Sequence, residues 1–187
     1  SDVQGQIAQL MIYPVKSCAG VAVQQAVLLE SGLQWDRHWI VVDADGLFVS
    51  QRECARMALI RPQLEADALL LQAPGMPKLR VPLQDSGPSL RVQVWDDVVD
   101  ALDMGPEAAE WVHAFLGVPA RRLVHFDPAE QRACSTKWTG GVAASTQFAD
   151  GYPVLVTTDS AMDALNTRLA AQGHPAVGML RFRPNVV

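Results

Sequence analysis

Short apolar or alternating runs recur along the first hundred residues, and they predict a chain that is mainly β. These runs are rich in Val, Ile, Leu and aromatic residues, and they cover residues 7–15, 21–30, 34–43, 47–50, 58–65, 68–72, 78–83, 90–95 and 98–103. Asp45-Gly46 separates two of them and favours a tight hairpin, because both residue types tolerate positive φ. Many short strands joined by turns indicate a β-barrel.

Helical patterns occur only in the second half of the chain. One helix is predicted from Pro106 to just before Gly117, since proline suits a first helical position and an apolar face repeats at helical spacing. A second helix is predicted over residues 159–172, with Thr158 as its cap and Gly173 after its end, following a strand at 154–157. The polar stretch 127–150 between them lacks periodicity and predicts a long loop.

Composition and charge restrict the partners. The 187 residues are 49% hydrophobic, which is enough for a sizeable core, and the net charge is −5. This charge argues against nucleic acid or an acidic membrane surface as a partner, because both require many lysines and arginines. The three cysteines are widely spaced and odd in number, which favours reduced thiols over a set of disulfides. Neither a signal peptide nor an apolar run of about 18 residues is visible. We therefore expect a cytoplasmic protein without a membrane partner.

The first candidate for chemistry lies at the end of the first apolar run. Pro14 stiffens the strand end, Lys16 and Ser17 follow it, and Gly20 lets the chain bend away. An ammonium, a hydroxyl and backbone N–H groups together suit a bound phosphate. The alternative interpretation is a strand followed by a solvated lysine.

The second candidate is Arg37, in an aromatic run that also contains Asp36 and His38. If residues 34–43 form one strand, Arg37 shares a face with Trp35 and Trp39. It would then clamp a phosphate or carboxylate, or simply pack against the indoles. His38 would face the other way, where it could donate to an anion or reach solvent. No pair of histidines has metal-ligand spacing, so we expect no metal site.

Several separated motifs together resemble one known family. YPVKSCAG at residues 13–20 and GLQWDRHWIVVDADGLFVSQRECARMALI at 32–60 are similar to the N-terminal β-barrel domain of MOSC proteins, the group that includes amidoxime-reducing components. RLVHF at 122–126, GYPVLV at 151–156 and RFRPNVV at 181–187 follow in that family's order. The resemblance implies an N-terminal MOSC β-barrel domain over residues 1–125 and the start of a MOSC β-barrel domain over 126–187, a mainly β fold with α+β elements.

The same resemblance implies binding of the molybdenum cofactor, a phosphorylated pterin (molybdopterin) whose dithiolene holds molybdenum. The positions that match the family's cofactor contacts are Lys16, Ser17, Arg37, Arg183 and Asn185, with Gly151 and Tyr152 added where other members carry hydroxyl residues. In the family the molybdenum-binding cysteine lies well downstream of RPN. We therefore expect no metal ligand in this chain.

Several functions remain open on this basis. The resemblance implies an oxidoreductase of N-hydroxylated substrates, supplied with electrons by a redox partner, when the protein is complete. These 187 residues alone are expected to be a non-catalytic part of it, and whether the chain is an enzyme is left open. One alternative is a sulfur carrier for cofactor sulfuration with a family-level pyridoxal phosphate association, in which Cys18 or Cys54 would carry the sulfur. Another is a non-enzymatic anion-binding β-barrel module.

Overall fold

The computed structural model describes residues 4–83, 87–118 and 121–187, and within these ranges the fold is mainly β. The strands are β1 Met11–Ile12, β2 Val21–Ala22, β3 Leu28–Leu29, β4 Gly32–Leu33, β5 Trp39–Val42, β6 Arg61–Leu64, β7 Ala68–Gln72, β8 Leu79–Pro82, β9 Ser89–Val94, β10 Asp97–Asp103, β11 Arg122–Phe126, β12 Arg132–Ala133 and β13 Ser145–Thr146. The helices are α1 Pro106–Leu116 and α2 Asp159–Ala171, with 3-10 helices at Ala55–Leu59 and Met179–Arg181. The expected mainly β class with α+β elements is confirmed. Residues 1–3, on which the absence of a signal peptide was partly argued, lie outside the described ranges.

The central sheet has four antiparallel strands in the order β5, β11, β10 and β9. All four residues of β5 are buried, because the sheet separates two apolar clusters. Trp39 and Val41 belong to the cluster that also contains the α1 face, whereas Ile40 and Val42 pack on the other side with Phe48. The alternation of side chains along a strand thus distributes this apolar run between two cores.

A three-stranded antiparallel sheet of β6, β7 and β8 completes the larger cluster, together with α1. Helix α1 begins at Pro106 as predicted, and it ends before Gly117, whose φ of 71° provides the left-handed residue of a helix C-terminus. Its buried face consists of Ala108, Trp111, Val112, Phe115 and Leu116. The sequence-based predictions for β7, β8, β9 and β10 also agree with the structure to within one or two residues at each end.

The predicted strand over residues 34–43 is wrong in its first half. Trp35 and Arg37 have φ values of 66° and 54°, so the chain turns there and β5 starts only at Trp39. Left-handed backbone at two bulky residues is costly, and a hydrophobicity pattern does not reveal it. Trp35 and Trp39 therefore stack on each other, with ring centroids 5.8 Å apart, and Arg37 does not lie between them.

Other predicted strands are shorter than their apolar runs. Residues 7–15 keep only β1, residues 21–30 divide into β2 and β3, and residues 58–65 begin inside the 3-10 helix. The run at 47–50 forms isolated bridges, such as Val42 with Phe48, around the predicted turn at Gly46, whose φ is 81°. At 154–157 the strand reduces to one bridge between Val156 and Val186. The predicted loop 127–150 contains the short β12–β13 ladder.

Helix α2 follows this bridge, and Thr158 caps it as predicted: its Oγ1 accepts a hydrogen bond from the backbone N–H of Ala161 at 3.1 Å. None of its residues is buried. None of the helices in the described ranges has the length and apolar character required to span a bilayer.

The last residues of the chain return to its beginning. Leu10 and Val156 both form bridges with Val186, and Met11 N–H donates to the carbonyl of Asn185 at 2.8 Å. Asn185 itself is fully buried, and its Nδ2 donates to the carbonyl of Met11. These contacts place the RPN segment, residues 183–185, beside the YPVKS segment, residues 13–17. The domain boundary between residues 125 and 126 stays a prediction.

Candidate functional site

A cavity of about 670 Å³ lies where these segments meet, and all seven predicted cofactor residues line it. Three distant parts of the chain contribute them: the end of the first strand, the turn before β5, and residues 150–185. The wall consists of Lys16, Ser17, Arg37, Phe48, Ser50, Gln51, Arg52, Trp95, Ala149, Asp150, Gly151, Tyr152, Val154, Leu155, Arg181, Phe182, Arg183 and Asn185. Lys16 and Arg37 therefore face the same space, as an anion site requires.

Lys16 is the most buried cation of the cavity wall. Its Nζ donates to the carbonyl of Phe148 at 2.7 Å and to Oδ1 of Asp150 at 2.6 Å, and it lies 5.4 Å from the centre of the Phe48 ring. Burial lowers the pKa of Lys16 to about 8, although the charge of Asp150 raises it again in part. The ammonium is therefore present at neutral pH and close to deprotonation.

Arg37 is held by groups that come from both ends of the chain. Its Nη1 forms an ion pair with the buried carboxylate of Asp36 and donates to Oδ1 of Asn185 at 2.9 Å, while Nη2 donates to the carbonyl of Arg183 at 3.1 Å. Asp36 in turn accepts from the backbone N–H of Tyr13 at 2.7 Å. A guanidinium fixed by three acceptors loses little further entropy when an anion binds to it.

Arg183 lies beside Arg37 although their positive charges repel. Both guanidinium carbons lie over the ring of Tyr13, at 4.2 Å for Arg183 and 4.6 Å for Arg37. Arg183 Nη1 donates to the carbonyl of Cys18 at 2.5 Å, whereas its buried Nη2 has no hydrogen-bond partner within residues 4–83, 87–118 and 121–187. Burial lowers the pKa of Arg183, and the charge of Arg37 lowers it further. Tyr13 thus organises two cations that would favour a shared anion.

The backbone of the cavity wall is strained. Non-glycine residues with positive φ in the described ranges are Ser17, Trp35, Arg37, Trp95 and Arg183, and all but Trp35 line the cavity. Such conformations cost on the order of 1–3 kcal/mol each, and they concentrate at functional sites. Strain gathered around one cavity supports a binding role for it.

Gly151 and Tyr152 line the cavity at the two positions where other family members carry hydroxyl residues. Apart from its chain neighbours, no heavy atom of the described residues lies within 4 Å of a Cβ added at Gly151, so this part of the wall is open. The Tyr152 hydroxyl donates to the carbonyl of Ser135 at 3.0 Å, which ties it to the β12–β13 loop.

The cavity is locally positive in an acidic protein. The cations that line it are Lys16, Arg37, Arg52, Arg181 and Arg183, and among the described lining residues only Asp150 supplies a carboxylate. The whole chain carries a net charge of −5, so this concentration of cations is local. Its chemistry suits a phosphate or another oxyanion.

His38 does not take either of the roles predicted for it. It is buried outside the cavity wall, and its Nε2 accepts from the backbone N–H of Trp35 at 3.1 Å. Burial lowers the pKa of His38 to about 3, and the neighbouring His125 lowers it as well. It is therefore a neutral structural group that supports the turn containing Arg37.

Sequence reasoning missed several lining residues, above all Trp95 and Asp150. The exposed Arg181 and Arg52 also escaped assignment to the cavity. Trp95 gave no signal because its place in the wall depends on the left-handed turn between β9 and β10. Asp150 directly precedes the GYPVLV motif, and that position is the only signal that could have revealed it.

The described residues do not form a metal site. Within residues 4–83, 87–118 and 121–187, no group of three or more His, Cys, Asp or Glu side chains could hold a metal ion. Cys18 is completely buried, and burial raises the pKa of its thiol to about 12. Its sulfur is therefore a protonated thiol at neutral pH.

Comparison with known proteins shows which family the chain resembles. The sequence model described as MOSC N-terminal beta barrel domain matches residues 4–119. The chain is 34% identical to mouse mitochondrial amidoxime-reducing component 1, over 98% of this chain and 55% of that protein. It is 37% identical to human mitochondrial amidoxime reducing component 2, over 98% of this chain and 56% of that protein. A solution structure of a Bordetella bronchiseptica protein is 28% identical over 57% of this chain and 91% of that one, with a TM-score of 0.45.

The family model covers residues 4–119, more than half of the chain, and this match defines the class of protein. The chain belongs to the MOSC family and contains its N-terminal beta barrel domain. It spans about half the length of the curated relatives that it matches.

Proposed function

We propose that this chain binds the phosphorylated pterin of the molybdenum cofactor in the cavity between the YPVKS and RPN segments. The observation that carries the proposal is the convergence of Lys16, Arg37 and Arg183 on one cavity from three distant parts of the sequence. Guanidinium and ammonium groups in a partly buried site bind phosphate oxygens through charge-assisted hydrogen bonds. The proposal is also supported by the buried Nη2 of Arg183, which has no hydrogen-bond partner among the described residues.

The described residues fit the anionic part of the cofactor. Lys16, Ser17, Arg37 and Arg183 would hold the phosphate, while Asn185 and the backbone at Gly151 and Tyr152 would contact the pterin, whose amide and amino groups need hydrogen-bond partners. When bound, the cofactor supplies two-electron redox chemistry. What this chain contributes is charge, orientation and partial exclusion of water. The fit does not extend to the metal, since no described cluster could ligate it.

For a full-length protein we further propose oxidoreductase activity on N-hydroxylated substrates. The named relatives are amidoxime-reducing components, and this chain covers 55% and 56% of two of them. Such a reduction consumes two electrons and two protons and releases water, so the proposal includes an electron-transfer partner. It is tested by supplying a chemical reductant to full-length protein made in a host that produces the cofactor, and by assaying loss of the N-hydroxylated substrate.

The other sequence-based alternatives stay predictions. A sulfur carrier would need a nucleophilic thiolate, and the buried Cys18 thiol, whose pKa burial raises to about 12, does not favour it. No described contact favours pyridoxal phosphate. The cytoplasmic location likewise stays a prediction, which cell fractionation would test.

The cofactor-site proposal is tested by calorimetric titration with a phosphorylated pterin or with inorganic phosphate. We expect Arg183→Gln to weaken binding by about tenfold or more, because it removes a charge-assisted contact. Arg61→Gln is the matched control: Arg61 is exposed on β6 and lies outside the cavity, and its loss changes the net charge equally.

The outcomes are distinct. Binding that falls with Arg183→Gln and is unchanged with Arg61→Gln supports the site. Equal weakening by both variants would indicate a diffuse charge effect, and no binding by the wild-type chain would end the proposal. Circular dichroism establishes that each variant is folded.

A further inference from the structure

One carboxylate already lies in the cavity, in the position of an anion. Oδ1 of Asp150 accepts a hydrogen bond from Lys16 Nζ at 2.6 Å and another from Trp95 Nε1 at 3.0 Å. The two donors come from segments that are far apart in the sequence, so their convergence is a property of the tertiary fold. A positively charged N–H group and a neutral N–H group aimed at one oxygen are the elements of an oxyanion site.

The two members of this ion pair differ strongly in burial. The side chain of Asp150 is 77% exposed, whereas that of Lys16 is 9% exposed. Water can therefore solvate the carboxylate as soon as it leaves, and an ion pair with one exposed member is weakly held. The ammonium, by contrast, stays buried and keeps its need for an anion.

The backbone beneath Asp150 is fixed, so only its side chain has to move. Arg132, which is buried, donates from Nη1 to the carbonyls of Gln147 at 2.9 Å and Ala149 at 2.5 Å, and from Nη2 to the carbonyl of Asp150 at 3.0 Å. The Asp97 carboxylate pairs with the same guanidinium at 2.6 Å. Rotation of the Asp150 side chain would thus uncover Lys16 and Trp95 without rearranging the loop.

A further cation of the cavity wall packs near the Trp95 ring. The guanidinium carbon of Arg52 is 5.8 Å from the centre of the Trp95 ring, and Arg52 lines the same cavity. An incoming oxyanion would meet Lys16, Trp95 and Arg52 where the chain now supplies one carboxylate.

We propose that Asp150 is an internal counter-anion that occupies a ligand oxygen position between Lys16 and Trp95, and that a phosphate-bearing ligand displaces it on binding. This inference rests on the proposed function and adds a competitor to the same site. A small monoanion has to replace the Asp150 contacts without gaining others, whereas a phosphate dianion also reaches further cations of the wall. Asp150 therefore selects for multiply charged ligands.

Calorimetric titration of inorganic phosphate tests the competition. We expect Asp150→Ala to bind phosphate about fivefold or more tightly than the wild-type chain, because no internal carboxylate has to be displaced. Asp67→Ala is the matched control: the Asp67 side chain is 74% exposed, pairs with Arg80 at 2.5 Å, and lies outside the cavity. It changes the net charge by the same amount but removes no carboxylate from the cavity, so it should leave the affinity within about twofold. Asp150→Asn serves as a second variant that keeps the side-chain shape and should also bind more tightly than the wild type.

The indole N–H resonance of Trp95 reports the position directly. In Asp150→Ala the resonance should move from its wild-type frequency, because Nε1 loses its acceptor, and phosphate should return it toward that frequency. Phosphate that binds without affecting this resonance would overturn the inference. So would Asp150→Ala binding no more tightly than Asp67→Ala.

The same titrations distinguish a failure of this inference from a failure of the proposed function. If wild-type binding is weakened by Arg183→Gln but not strengthened by Asp150→Ala, the phosphate site stands and the displacement is wrong. If neither the wild-type chain nor the Asp150 variants bind phosphate, both are wrong. If only the Asp150 variants bind, phosphate does not displace the carboxylate from the wild-type chain, and the displacement is wrong.

Discussion

At the scale of single residues, Tyr13 is the side chain on which two cations of the site pack. Its ring is 2% exposed and carries the guanidinium groups of Arg37 and Arg183 within 5 Å of its centre. The sequence indicated that Arg37 would rest on aromatic rings, but it named Trp35 and Trp39. The left-handed turn at Trp35 and Arg37 redirected the guanidinium to Tyr13. The sequence therefore predicted an aromatic partner for Arg37 but not which ring it would contact, because tertiary packing sets φ at single positions.

Lys16 gives the candidate site a pH dependence. Burial lowers the pKa of Lys16 from 10.5 to about 8. Above pH 8 the ammonium loses its proton, so phosphate affinity should fall, by about tenfold per pH unit if only the charged form binds. Phosphate titrations at pH values from about 7 to 10 would measure this decline.

Two variants test whether Lys16 causes this decline of phosphate affinity with pH. Lys16→Met should bind weakly and show no decline across this range, whereas Lys78→Met, which removes an exposed lysine, should behave as the wild-type chain does. An affinity that does not change with pH in the wild type, or a decline that persists in Lys16→Met, would contradict the assignment. The unfolded chain binds more protons than the folded one between about pH 8 and 10.5, so the Lys16 contribution to stability rises with pH over that window.

At the scale of elements, the regular parts of the fold were predictable and the turns were not. Helix α1 and strands β7 to β10 have clear periodicity and local end signals such as Pro106 and Gly117, so local chemistry determines them. The segments around the cavity form short strands and isolated bridges. Their bridges, such as those to Val186, join residues far apart in sequence, which no local pattern contains.

Gly20 is required by close packing and not by a positive φ angle. A Cβ at Gly20 would lie 2.5 Å from Cε1 and 2.9 Å from Cδ1 of Tyr13, and 3.0 Å from Cε of Met11. The buried ring cannot move aside without disturbing Arg37 and Arg183. We expect Gly20→Ala to lower the free energy of unfolding by about 1–3 kcal/mol, as overpacking does.

Denaturant unfolding measures this effect, with Gly178→Ala as the control. Gly178 has a φ of −86° and no heavy atom within 4 Å of an added Cβ, so its substitution should change stability by no more than about 0.5 kcal/mol. A Gly20→Ala variant as stable as the control would show that the Tyr13 ring is not held in place.

At the scale of the whole molecule, the fold brings the two ends of the described chain together around one charged cavity. Residues 13–18 and 183–185 are connected by the Arg183 to Cys18 and Asn185 to Met11 hydrogen bonds, and Arg37 is bonded to both Asn185 and Arg183. All seven residues expected to bind the cofactor line this cavity. Each of them was identified from the family motifs, which are far apart in the sequence. The motifs did not identify Asp150 or Trp95, whose importance depends on the contact between them.

The most direct test of this account is to map backbone amide and indole chemical shifts while phosphate is titrated into the isotopically labelled chain. We predict shifts at residues 16–18, 37, 95, 149–152 and 183–185 that follow one common binding curve, because these segments line one cavity. Shifts confined to one of these segments, segments that saturate at different phosphate concentrations, or no response at Lys16, Arg37 and Arg183 would contradict it.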